Sequence, residues 1–199
     1  MTSTRPFPLP LTLAITGASG AAYAVRLLDV LAQASVPVDL IISPHGWRLL
    51  EGEMGIADEG ALRAATGGEW EHVTLHTDGD RGARPASGSY RSAGMVICPC
   101  SMGTISAIAQ GSSRSLIERA ADVVLKERRK LILVPRETPL SLVHLRNLVT
   151  VTEAGAVVIP AAPGFYHRPS RIAELVDFIV QRIIDQLGLE IELAPRWEG

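Results

Sequence analysis

The stretch Leu11-Thr-Leu-Ala-Ile-Thr16-Gly17-Ala-Ser-Gly20-Ala-Ala-Tyr-Ala-Val25-Arg-Leu-Leu-Asp-Val30-Leu-Ala-Gln33 changes its hydrophobic period halfway along. Up to Thr16 it is a continuous apolar run, the pattern of a buried strand, and Gly17 to Gly20 form a tight turn. From Ala21 to Gln33, Val25, Leu28 and Leu31 recur at helical spacing, with Arg26, Asp29 and Gln33 between them. That describes an amphipathic helix. Val38 to Ile42 is a second apolar run shortly after this helix, so a right-handed crossover would lay the two strands parallel. Met95 to Cys98, Leu131 to Val134 and Ala156 to Ile159 repeat the theme. Helices are expected over 104–109, 116–127, 140–152 and 170–187. Strands that alternate with helices predict an α/β fold, a three-layer doubly wound parallel sheet of the flavodoxin-like or Rossmann-like kind. One domain is expected over 1–199, with 1–10 as an N-terminal extension and 188–199 as a C-terminal tail. The Gly- and Asp-rich stretch from Gly52 to Ser92 is expected to be irregular.

Composition narrows the function. The 199 residues carry Lys+Arg 19 against Asp+Glu 21, a net charge of -2, and no basic run longer than Arg128-Arg129-Lys130. That argues against a nucleic-acid footprint. The five histidines are scattered, without Cys/His ligand spacing, so no metal site is expected. Cys98 and Cys100 flank Pro99 too closely to bridge without strain, which suits a reducing, cytoplasmic setting. No apolar stretch approaches the roughly 20 residues of a membrane span.

In open α/β sheets, ligands bind beyond the carboxyl ends of the strands. The loops expected there are Thr16 to Gly20, Ser43-Pro-His45, Pro99 to Thr104 and Pro135-Arg-Glu-Thr138. Serine hydroxyls beside helix N-termini suit a phosphate. The glycine loop lacks the full G-x-G-x-x-G spacing, although Asp39 stands as a candidate ribose acid. Thr-Gly-Ala-Ser-Gly also opens short-chain dehydrogenases, yet none of Tyr23, Tyr90 and Tyr166 is followed by Lys at the Tyr-x-x-x-Lys spacing. Arg136-Glu137 directly follows a strand, where the pair is either part of a cleft or a structural ion pair.

Taken together, Thr16 to Gly20, Ala86-Ser-Gly-Ser89, Pro99-Cys-Ser-Met102, the Glu118 to Arg129 segment with its Leu-Lys-Glu-Arg-Arg ending, Leu133-Val-Pro-Arg-Glu-Thr-Pro-Leu140 and Pro163-Gly-Phe-Tyr166 resemble the flavin prenyltransferase family of the UbiX/Pad type. The resemblance runs nearly end to end. It implies a metal-independent transferase that joins a dimethylallyl group, delivered as dimethylallyl phosphate, to N5 and C6 of reduced FMN. The product, prenylated FMN, would go to a UbiD-type decarboxylase, in ubiquinone synthesis or aromatic acid degradation. The family assembles as homododecamers with sites at subunit junctions.

Carried over by resemblance, FMN would contact Gly17, Ala18, Ser19, Ser43, Ser101, Met102, Gly103 and Thr104, with Arg136 near the flavin. The prenyl phosphate would meet Tyr166 and Arg182, with Arg119 and Lys126 reaching in from a neighbouring subunit, and Trp197 would close over the site. Ser19 with Glu137 would form the relay that serves the departing phosphate. Glu53 would be the acid/base for the second bond of the new ring, with Glu51 as its alternative. Pro44 and Gly103 stand where many members have Lys, and Arg146-Asn147 where Glu-Asn is usual. Two rivals remain. An FMN-dependent cysteine decarboxylase would need a Pro-x-Met-Asn segment, which is absent, and a dedicated His. A non-catalytic FMN carrier would not need Glu137, Arg182 or Lys126.

Overall fold

A computed structural model describes residues 9–67 and 70–194. The first three elements follow their sequence pattern closely: strand β1 Leu11–Ile15, helix α1 Ala21–Gln33 and strand β2 Val38–Ile42. Then come α2 Pro44–Met54, α3 Glu59–Ala65, β3 Val73–Thr77, β4 Gly94–Cys100 and α4 Met102–Ala109. The chain continues through α5 Leu116–Lys126, β5 Leu131–Pro135, α6 Leu142–Glu153, β6 Val157–Val158 and α7 Ile172–Leu187. The strands form one parallel sheet in the order β3-β2-β1-β4-β5-β6. Strand order reverses between β1 and β4, which makes their carboxyl ends the crevice of the sheet.

Two apolar layers cover the two faces. Leu11, Leu13 and Ile15 point toward α1 and α7, with Leu50 of α2 and Leu62 of α3 joining that layer. Ala14, Met95 and Ile97 point the other way, against Ile105 of α4, Ala120 and Val124 of α5 and Val151 of α6. Adjacent residues of β1 thus serve opposite layers, as the period of a strand requires.

The stretch expected to be irregular contains the end of α2, all of α3 and a sixth strand. Asp58 caps α3 by accepting from the Ala61 N–H at 2.8 Å, and Leu62, Ile56 and Trp70 are buried beneath it. Strand β3 lies at the edge, where only one side is paired and polar Thr and His residues are tolerated. Its composition therefore resembles a loop. Helix α6 departs in another way: Leu142, Val143, Leu145 and Val149 are all exposed, and of its residues only Asn147 and Val151 are buried.

Candidate active site

A cleft of about 230 Å³ opens at the strand-order reversal. Its walls are the loops after β1 (Thr16, Gly17), β2 (Ser43, His45), β3 (Asp78) and β4 (Ser101, Thr104), together with the start of α5. Thr16 fastens the centre. Its hydroxyl donates to the Pro99 carbonyl at 2.9 Å and accepts from the Ser101 N–H at 2.8 Å. Gly17 is required by close approach, since a Cβ there would come within 2.5 Å of the His45 Cβ.

Four helices begin around this cleft, and their caps differ in charge. Glu53 accepts from the Gly20 and Ala21 N–H groups at 3.0 and 2.8 Å, so α1 is closed by a carboxylate from the end of α2. Asp78 accepts from the Ile117 N–H at 3.0 Å and closes α5 in the same way. At α2 and α4 the caps are neutral hydroxyls: Ser43 accepts from Gly46 N–H at 2.9 Å, and Ser101 from Thr104 N–H at 3.2 Å. A helix N-terminus favours an anion. Because the fold's own acids already satisfy α1 and α5, an incoming phosphate is favoured at α2 and α4.

Ser19, Glu53 and Arg136 meet beside the cleft. The Ser19 hydroxyl helps to lower the Glu53 pKa, and Arg136 Nε donates to the Ser19 carbonyl at 3.3 Å. Desolvation is the largest single influence on the Glu53 carboxyl and pushes its pKa upward. The Ser19 hydroxyl, the Ala21 and Gly20 N–H groups and the Arg136 charge oppose it and hold the pKa below the ordinary 4.5. The expected pairing of Ser19 with Glu137 is not formed. Glu137 is exposed and accepts from its own neighbour, the Thr138 N–H, at 3.2 Å. Glu53 rather than Glu51 is the acid that reaches the α1 turn, because a step of two residues along α2 places the side chains on opposite sides of the helix.

The remaining candidates lie apart. Arg119 and Lys126 are on α5, where Arg119 pairs with Asp122 at 2.8 Å and Lys126 with Glu127 at 2.6 Å. Arg119 Nε also donates to the Ala86 carbonyl at 3.2 Å. Tyr166 precedes α7 with its ring edge-on to Phe178, centroids 5.7 Å apart, and Arg182 pairs with Asp185 at 2.9 Å. Helices α5 and α7 cover opposite faces of the sheet. Trp197 lies outside the described residues.

Sequence reasoning placed His45 in the loop after β2, and it lines the cleft, but missed Asp78, Ser115 and Glu118 as cleft residues. Ser115-Leu-Ile-Glu118 does carry the Ser-x-x-Glu helix-start signal, and Ser115 accepts from Glu118 N–H at 3.4 Å. Asp39 is corrected: it is fully buried within β2 and has no ribose role, since His76, Arg84 and Tyr90 occupy its carboxylate. Among the described residues, no three His, Cys, Asp or Glu side chains gather as a metal site.

Comparison with known proteins places the chain in a family. Residues 3–184 match the family model described as Flavoprotein. The flavin prenyltransferase UbiX of Pseudomonas aeruginosa is 47% identical over 197 residues, covering 96% of this chain and 94% of that protein. The crystal structure of AnUbiX in complex with FMN and dimethylallyl pyrophosphate is 40% identical, with a TM-score of 0.88, covering 96% of this chain and 98% of that one. A dodecameric FMN-dependent UbiX-like decarboxylase from Escherichia coli O157:H7 is 38% identical, also with a TM-score of 0.88, covering 96% and 100%. The chain therefore belongs to the flavoprotein family and, within it, to the flavin prenyltransferases of the UbiX type.

Proposed function

We propose that this chain joins a dimethylallyl group, carried on dimethylallyl phosphate, to N5 and C6 of reduced FMN and releases prenylated FMN for a UbiD-type decarboxylase. The observation that carries this reading is Glu53 closing the α1 turn next to Ser19 and Arg136, at the edge of a hydroxyl-lined cleft. Reduced FMN supplies the nucleophilic nitrogen and carbon. Ser43, Ser101 and Thr104 hold its phosphate at the α2 and α4 N-termini, with Gly17, Ala18, Met102 and Gly103 giving the backbone close approach. Arg136 stabilises negative charge on the ring.

Glu53 holds and moves the proton of the second bond, and Ser19 orients its carboxylate. Glu137, exposed one residue beyond Arg136, serves the departing phosphate. Arg119 and Lys126 of one subunit, with Tyr166 and Arg182 of the next and Trp197 above them, bind the prenyl phosphate, the guanidinium forks matching its oxygens. The uncovered apolar face of α6 supports the homo-oligomer, a dodecamer, that such shared sites need. Both cysteines are free and buried, which fits the cytoplasm. No helix among the described residues is long and apolar enough to cross a membrane.

The test is anaerobic incubation with reduced FMN and either dimethylallyl monophosphate or diphosphate, followed by mass spectrometry of the extracted flavin. The expected result is a flavin heavier by one C5 unit with at least one donor; in Glu53→Gln the added mass is kept but the ring-closed product, read by its absorption spectrum, is lost. Unmodified FMN returned with both donors would sink the reading and favour a non-catalytic flavin carrier.

A further inference from the structure

A buried acid lies on the far side of the sheet from the Ser19–Glu53 pair, and the chemistry above does not use it. Asp39 of β2 is fully buried, a position that a carboxylate occupies only when its lone pairs are satisfied. Here Oδ1 accepts from His76 Nε2 at 2.7 Å and Arg84 Nε at 2.8 Å, while Oδ2 accepts from the Tyr90 hydroxyl at 2.8 Å. Arg84 also stacks over the Tyr90 ring, its Cζ 5.5 Å from the centroid.

Arg84 and Tyr90 are the two ends of one loop, and Asp39 clamps both. Between them Arg129 ties down the backbone, donating to the Gly88 carbonyl at 2.9 Å and the Tyr90 carbonyl at 2.7 Å. Ser87 and Ser89 join hydroxyls across the tip at 2.9 Å. The tip rests on α5: a Cβ at Gly88 would come within 2.7 Å of Lys126 Nζ, and the Ala86 carbonyl already accepts from Arg119. The two cations assigned above to the prenyl phosphate thus form the floor on which this turn lies.

We infer that Asp39 is a positioning residue for prenyl-phosphate binding: by clamping Arg84 and Tyr90 it sets the Ser87–Ser89 turn against Arg119 and Lys126. The inference rests on the proposed prenyltransferase reading. In an active site, a displacement of about 1 Å made at a distance can cost about a hundredfold. The clamp acts on one substrate only, because FMN is held by the loops after β1, β2 and β4.

The test compares wild type, Asp39→Asn and Tyr90→Phe for kcat, for the KM of dimethylallyl phosphate and for the Kd of FMN. Tyr90→Phe removes one donor, leaves the ion pair in place and covers the case in which Asp39→Asn does not fold. The expected result is a KM for dimethylallyl phosphate raised about tenfold or more in Asp39→Asn and less in Tyr90→Phe, with FMN affinity unchanged. A KM equal to wild type in the folded variants, or a parallel loss of FMN affinity, overturns the positioning role. A wild-type chain that makes no prenylated flavin overturns the functional reading and this role together, whereas active wild type with an unmoved KM overturns this role alone.

Discussion

Glu53 accepts the Ala21 N–H at 2.8 Å, so the turn that opens α1 is closed by an acid 32 residues further along the chain. The folded-state pKa of Glu53 lies below 4.5. Its contribution to stability is therefore complete above about pH 4.5 and is lost as pH falls through the folded value. Thermal unfolding followed by circular dichroism over about pH 3 to 6 is expected to show a steeper acid loss in wild type than in Glu53→Gln.

The same substitution tests the chemistry. Removing a positioned acid/base lowers turnover by about 10²- to 10⁴-fold, so Glu53→Gln is expected to lose kcat on that scale while the protein stays folded. Glu51→Gln, changed in a residue exposed to solvent on the same helix, is expected to keep kcat within about twofold of wild type, since exposed sites away from special contacts tolerate change. Equal losses in the two variants would remove Glu53 from the mechanism.

The different caps around the cleft predict unequal effects of equal mutations. Ser43→Ala and Ser101→Ala each lose a cap worth about 1 kcal/mol and are expected to weaken FMN binding as well. Ser115→Ala, on a helix that Asp78 also closes, should cost similar stability and disturb FMN affinity less. Fluorescence titration of FMN beside thermal melts separates the two effects.

Thr16 is 3% exposed and joins the loops after β1 and β4 through one hydroxyl. Thr16→Val keeps the shape and the Thr16 N–H bond to the Pro99 carbonyl at 3.2 Å, but it leaves the Ser101 N–H unpaired, a cost of about 2 kcal/mol. For a chain of this size that corresponds to a fall in Tm of roughly 4–8 °C. Because Ser101 caps α4, FMN affinity should fall in the same variant.

Helix α6 exposes Leu142 at 61% and Val149 at 57%. Placing Glu at both positions is expected to reduce the particle mass measured by light scattering and to abolish turnover, because the prenyl-phosphate site is proposed to span subunits. An unchanged mass would exclude this face from the assembly.

What the sequence made legible, and what it did not, has a physical pattern. Strands β1 and β2 are apolar throughout because both faces are covered, so their runs are unmistakable. Strand β3 is Val-Thr-Leu-His-Thr at an open edge and stays hidden among Gly and Asp. Helix α2 carries its start signal in Ser43-Pro44, a capping Ser followed by Pro at the first position, yet its sparse apolar residues mask its length. Ser43, Ser101 and Gly17 follow from the rule that sheets bind at strand ends. The partner of Ser19 does not, because the contact with Glu53 depends on how α2 folds back over the α1 turn.

Strand β3 is also the least buried of the five-residue strands: only Val73 of its residues is buried, and its neighbour β2 holds the next loop through the Asp39 charges. Elements with few buried apolar contacts open first in native-state fluctuations. The edge should therefore exchange its amide protons ahead of β1 and β4, in a local opening that leaves the flavin loops closed. The turn over Arg119 and Lys126 would loosen with it, and on the proposed assignment the smaller substrate would then enter or leave without unfolding the part proposed to hold the larger one.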